Sequence, residues 1–157
     1  MRKTMFIAAL FVCMKAFSLP ADVFDQKVTE SLSKPIVLQK IFEKTQKNKN
    51  WKTSVKAGDH EQIVFMNISV STAPDNEIGK STRSFDQVIL ILNGAARMSL
   101  NGKTSSVKGG DMIFIPKGTM YNITNKSRNI KLKLVSFCSN VSSPKDITYK
   151  NKVDERR

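Results

Sequence analysis

The sequence predicts an all-β domain, a sandwich or small antiparallel barrel, behind a short helical N-terminal segment. Three observations carry that expectation. From His60 onward the chain breaks into six or seven short runs rich in β-branched and apolar residues, spaced by turns. Asn101-Gly102, set between two such runs, is a strong hairpin signal, because a two-residue turn of this kind needs positive φ at both central positions. Finally, GGDMIFIPKGTMYNITN (Gly109 to Asn125) reads as strand, tight turn, strand, with Gly110, Pro116 and Gly118 supplying the turn chemistry.

Taken in order, residues 1–21 read as a secretory signal peptide: Arg2 and Lys3, the apolar run Met5 to Met14, then small residues around Ala16 and Ser18. The run is too short for a comfortable membrane span, which needs about 20 residues. Residues 22–57 form a helical and connecting segment. Val23 to Leu32 and Ile36 to Phe42 carry apolar residues at helical intervals and are split by Pro35. The lysine-rich TQKNKNWKTSVKAGDH then connects to the domain, with Trp51 as a packing anchor. Residues 58–143 are the β domain. EQIVFMNISV, QVILIL, Ala95 to Leu100, Lys103 to Val107, Met112 to Ile115, Met120 to Thr124 and IKLKLVSF are its strands. Residues 144–157 are polar and charged with little to bury, and are expected to form a loose tail.

Composition narrows the function classes. Cys13 falls in the leader, which leaves Cys138 alone, so the domain is held by burial and not by an internal disulfide. The formal net charge of +13 favours anionic neighbours, including electrostatic contact with a membrane surface. The lysines are scattered, however, and no aromatic residues interleave with them as stacking platforms. No nucleic-acid motif is present.

The stretch from Gly110 to Asn125 fits the spacing G-x5-P-x-G-x2-H-x3-N at every step except one, Tyr121 standing for the histidine. That is the second signature motif of the cupin superfamily, which the chain resembles over about residues 58–139. The first motif of that family has two histidines, a glutamate, six residues and a glycine. Here Gln87, six residues and Gly94 take the last two places. Counting back puts Arg83 and Ser81 at the histidine places, with Lys80 and Thr82 as alternatives one position away. EIGKSTRSFDQVILILNG is also similar to small single-domain bacterial cupins related to mannose-6-phosphate isomerase. The resemblance implies a cupin-type antiparallel β-barrel or jelly roll, and a homodimer as its association. It also implies a metal held by histidines and a carboxylate, and here that donor set is degenerate. His60, the only histidine, lies outside the ligand positions. An amide at Gln87 and a phenol at Tyr121 are poor replacements, and an inward Arg83 repels a cation.

The expected function is therefore that of an exported cupin, periplasmic or secreted, metal-free and non-catalytic. It would bind a small polar or anionic ligand with Arg83, Phe85, Gln87, Met98 and Tyr121 lining the barrel mouth. No catalytic residue, metal ligand or cofactor is assigned. Cys138 is read as a small buried hydrophobe and Asp111 as a turn residue. Two alternatives come from other classes. One is a carbohydrate isomerase or epimerase with Tyr121 as acid and Asp86 as base; the other is a protein whose basic face meets anionic surfaces.

Overall fold

The computed structural model describes residues 37–57, 60–139 and 147–156. The expected signal peptide and the segment Val23 to Leu32 lie outside the described residues. Within them the order is α1 (Ile41–Lys47), β1 (Lys52–Ala57), β2 (Glu61–Ile68), β3 (Ser81–Thr82), β4 (Gln87–Asn93) and β5 (Ala95–Leu100). Then come β6 (Lys103–Lys108), β7 (Met112–Ile115), β8 (Met120–Asn125), β9 (Leu132–Ser139), β10 (Thr148–Tyr149) and a 3-10 helix, Lys152–Arg156. No helix among the described residues is long and apolar enough to cross a membrane.

The strands form two antiparallel sheets, a six-stranded β10-β1-β2-β9-β4-β7 and a four-stranded β3-β8-β5-β6. This is the expected all-β, cupin-type jelly roll, and its sheets stay separate and do not close into one barrel. Period-two alternation decides what lies inside. On β2, Val64, Met66 and Ile68 join the core; on β4, Ile89 and Ile91; on β9, Leu132 and Leu134; across the gap, Met98 and Ile123. On the edge strand β7, Ile113 and Ile115 are buried while Met112 and Phe114 face out. The sequence reading of β9 is incomplete in one respect. Lys133 alternates outward as expected, yet it is buried, because α1 packs over β2, β9 and β4. Its ammonium donates to the Asn48 carbonyl at the helix end, and burial pulls the Lys133 pKa below its ordinary value.

Three expectations are corrected. The helix expected over 36–42 is found at Ile41–Lys47, running into residues read as connector. It docks through a polar residue, since Thr45 is fully buried and donates to the Ile41 carbonyl at 2.9 Å. Beyond it, the lysine-rich connector contains β1, which pairs with β2 along most of its length. Residues 147–156, the described part of the expected tail, are not loose either. β10 pairs with the free edge of β1, Lys52 opposite Tyr149 and Thr53 opposite Thr148. Trp51 N–H donates to the Lys150 carbonyl at 3.0 Å and Ser54 N–H to that of Ile147 at 2.8 Å. An edge strand with unpaired backbone groups supplied the partner that charge-rich composition concealed.

The turns behave as their chemistry predicts. Asn101 and Gly102 both take positive φ, at 46° and 83°. Gly94, the glycine of the first motif, has φ 91°, and a Cβ there would stand 3.2 Å from both Leu132 Cα and the Lys131 carbonyl oxygen. Gly118 also has positive φ but open space around it. Gly94→Ala is therefore expected to cost about 2 kcal/mol or more, against about 1 kcal/mol for Gly118→Ala. Urea unfolding of the two variants measures the difference, and equal losses would rule out the close approach as its cause.

Candidate functional site

A cavity of about 620 Å³ opens between the two sheets. One wall is a polar rung on the inner face of the larger sheet. Gln62, Cys138 and Gln87 are register partners across β2, β9 and β4, so their side chains line up side by side. Val64 and Met66 continue that wall inward. Tyr121 faces it from β8, its ring 2% exposed. The rim is charged, with Lys52, Glu77, Lys80, Arg83, Lys152 and Glu155 around it and Phe85 beside them.

The turn of the second motif holds this rim. Gly118 N–H donates to the Arg83 carbonyl at 2.8 Å, and Lys117 N–H donates to Asp86 Oδ1 at 2.8 Å. Pro116 to Gly118 thus clamps the Arg83–Asp86 segment beside the mouth. Ser81 pairs with Tyr121 at the same end. Asp86 is spent on that clamp and does not line the cavity, so the base of the isomerase alternative is absent from the site.

Gln87 carries the most specific chemistry. It is 7% exposed, and its amide nitrogen donates to Ser136 Oγ. Its carbonyl oxygen is buried without a hydrogen-bond partner. Leaving such an acceptor unpaired costs roughly 1–3 kcal/mol, so a buried orphan facing a cavity calls for a reason. Cys138 beside it shares a 3.3 Å contact with Ser136 Oγ, and burial pushes its thiol pKa up, which makes it a poor nucleophile.

The remaining charges are largely committed. Glu77 accepts from Asn122 Nδ2 at 2.9 Å and from Thr124 Oγ1 at 3.3 Å; the Asn122 bond leads the effects that hold its carboxyl below the ordinary value. Glu155 accepts from Trp51 Nε1 at 2.9 Å and pairs with Lys52 at 2.8 Å. Burial raises the Glu155 pKa, but the bonds from Lys52 and Trp51 outweigh it and the net shift is down. Lys152 donates to the Glu77 carbonyl at 2.7 Å and lies 5.6 Å over the Trp51 ring.

The C-terminal segment is therefore a latch across the mouth, and its pH response follows. Folded Glu155 titrates below its ordinary 4.5, so its contribution is complete above that pH and is lost as pH falls through the lowered folded value. Thermal unfolding followed from neutral pH to below 4.5 should show a loss of stability that is smaller in Glu155→Gln. An identical profile in the variant would show that the latch does not depend on this carboxylate.

Of the five residues expected at the mouth, Arg83, Phe85, Gln87 and Tyr121 meet in this cavity. Met98 does not. It is 1% exposed in the core, opposite Ile123 on β8, while Tyr121 lies opposite Leu100 nearer the strand end. The sequence reading missed Gln62, although the alternation Gln62, Val64, Met66, Ile68 places it on the inner face. Lys152 and Glu155 gave no signal, because nothing in a charged terminus tells which strand edge it will join.

The ligand positions implied by the family carry Arg83, Gln87 and Tyr121. A guanidinium repels cations, and a neutral amide and a phenol are weak donors. Among the described residues no group of three or more His, Cys, Asp or Glu side chains could hold a metal ion. The donor set does not fit the family's metal.

Comparison with known proteins agrees with this architecture. Residues 69–141 match the family described as AraC-like ligand binding domain. A solved structure from Bacillus halodurans is similar over 78% of this chain and 94% of its own, at 25% identity and TM-score 0.72. A cupin superfamily protein from Desulfitobacterium hafniense covers 71% of this chain and 97% of its own, at 15% identity and TM-score 0.55. An RmlC-like cupin from Shewanella frigidimarina covers 59% and 77%, at 13% identity and TM-score 0.52. No curated protein sequence gives a significant match. With the spacing of the second motif kept and a two-sheet jelly roll around it, the chain has a cupin-type fold and is similar over residues 69–141 to the AraC-like ligand binding domain.

Proposed function

We propose that this domain binds a small polar or anionic molecule between its sheets, without a metal ion and without catalysing a reaction there. The observation that carries the reading is the buried, unpartnered Gln87 oxygen on the wall of a cavity of about 620 Å³. Ligand pockets commonly span about 300–1,000 Å³ and orient their occupant with a few convergent polar groups. The non-catalytic part is supported by the groups at hand. Glu77 and Glu155 are held ionised by hydrogen bonds, which makes them weak bases, and Asp86 is committed elsewhere. Export to the periplasm or beyond belongs to the same proposal and is supported by the leader-like residues 1–21.

Two measurements test this. Elemental analysis of the purified chain should find no stoichiometric transition metal, and one ion per chain retained through dialysis sinks the metal-free part. Thermal-shift screening against small polar metabolites should give compounds that stabilise the protein but not Gln87→Leu. Compounds that stabilise both equally would place binding elsewhere.

A further inference from the structure

The charges around the cavity are unequally committed. Lys52 is paired with Glu155, and Lys152 donates to the Glu77 backbone while its charge acts on the Glu77 carboxylate. Lys80 and Arg83, both lining the cavity, make no side-chain hydrogen bond or ion pair among the described residues. Arg83 is exposed at the rim, near enough for its charge to act on Glu155 and Cys138. The surplus at the mouth is therefore positive, and it suits an anion, which a guanidinium can grip with two parallel hydrogen bonds. A second cation in the ligand would be repelled by the same surplus.

The wall requires the opposite chemistry. The orphaned Gln87 oxygen is an acceptor and would repel a carboxylate. Turning the amide over lets Ser136 donate to the oxygen and leaves the NH₂ unpaired instead. A hydroxyl group satisfies either arrangement, because it both donates and accepts. Tyr121 presents a phenol with the same double capacity to the same space. The anionic and hydroxyl-bearing parts of the ligand must therefore be separate, one at the rim and one against the rung. At ~30 Å³ per water the volume corresponds to roughly 20 waters, room for a monosaccharide-sized molecule with some solvent.

From this we infer that the ligand is a polyhydroxylated carboxylate of monosaccharide size. Its carboxylate lies between Lys80 and Arg83 and its hydroxyls lie against Gln87 and Tyr121. The inference rests on the cavity being a binding site, and the test separates the two.

Calorimetric titration of the full chain with glucuronate, galacturonate and gluconate should show binding by at least one. Glucose and galactose, hexanoate and glucose 6-phosphate are the comparison arms. Lys80→Ala/Arg83→Ala changes two exposed side chains, so folding is preserved; it should weaken the hydroxy acid by about tenfold to a hundredfold and leave neutral sugars unmoved. Gln87→Leu should weaken the hydroxy acid about tenfold and leave hexanoate unchanged. A neutral sugar binding as tightly as its acid in a Gln87-dependent way overturns the inference and keeps the site. So does binding confined to the sugar phosphate or to hexanoate. Hydroxy-acid binding that the double variant leaves intact also overturns it. Silence in every arm at millimolar concentration overturns the inference and the binding reading together.

Discussion

Replacing Trp51 by alanine is expected to lower the unfolding free energy by about 3–5 kcal/mol, the range for emptying a large aromatic site. The ring is 2% exposed and belongs to the core cluster, so little solvent can enter to relieve the void. Its other contacts make the residue a junction. The indole N–H donates to Glu155, the Lys152 ammonium lies over the ring, and the backbone bonds to Lys150 on one side and Asn67 on the other. Losing the ring therefore loosens the C-terminal latch as well as the core, and with it the part of the cavity rim formed by Lys152 and Glu155. Trp51→Phe keeps most of the apolar surface and removes the indole donor, so about 1–2 kcal/mol should be lost. Because Trp51 is the only tryptophan, far-UV circular dichroism in urea is the suitable probe for both variants. A loss below about 1 kcal/mol for the alanine variant would mean that the latch and the core do not share this anchor.

That junction also marks where sequence reasoning stopped. The strands were legible because alternation and turn chemistry are local: Asn101-Gly102 and Pro116-Lys117-Gly118 set their own geometry whatever lies across the sheet. Tyr121 was legible as an inward residue for the same reason. Met98 shows the limit of that logic. Period two gives the face a side chain occupies, but not its depth along the barrel axis, and Met98 lies deeper than Tyr121. Depth depends on the stagger between strands, which no single strand encodes. Likewise Trp51 was legible as an anchor, but its partner at Glu155 is 104 residues away in a segment of unremarkable charged composition.

The degenerate ligand positions acquire a consistent meaning when read this way. In the family the histidine and carboxylate places serve a metal. Here Gln87 and Tyr121 put neutral groups that can donate and accept hydrogen bonds against the same interior, and Arg83 puts a fixed positive charge at its edge. The scaffold elements that hold those positions are kept: Gly94 fits its close approach, and the Pro116–Gly118 turn clamps Arg83 by its backbone. The proposed hydroxylated anion would thus meet side chains aimed by the same turn and close-packed glycine that the motif spacing marks.

The last position of the second motif supplies the sharpest stability test. Asn125 is fully buried, and its side-chain nitrogen donates to the carbonyls of Ser69 and Ile130, both at 2.9 Å, with a longer 3.4 Å contact to Ile68. Its oxygen accepts from Ser127 N–H at 2.9 Å. One side chain thus ties the end of β2 to the connection between β8 and β9. Asn125→Ala should cost about 3 kcal/mol, since it removes three hydrogen bonds at about 1 kcal/mol each from a fully buried side chain. Asn125→Asp keeps the size but exchanges a double donor for an acceptor aimed at carbonyl oxygens, and adds a buried charge. At neutral pH it should be at least as destabilising as alanine, although it is nearly isosteric. The cavity should be spared in any folded fraction, because Tyr121 stands about 13 Å away along β8 at ~3.3 Å per residue. Urea unfolding of both variants decides the matter: an aspartate variant as stable as the parent would show that shape, and not the donated hydrogen bonds, is what this position supplies.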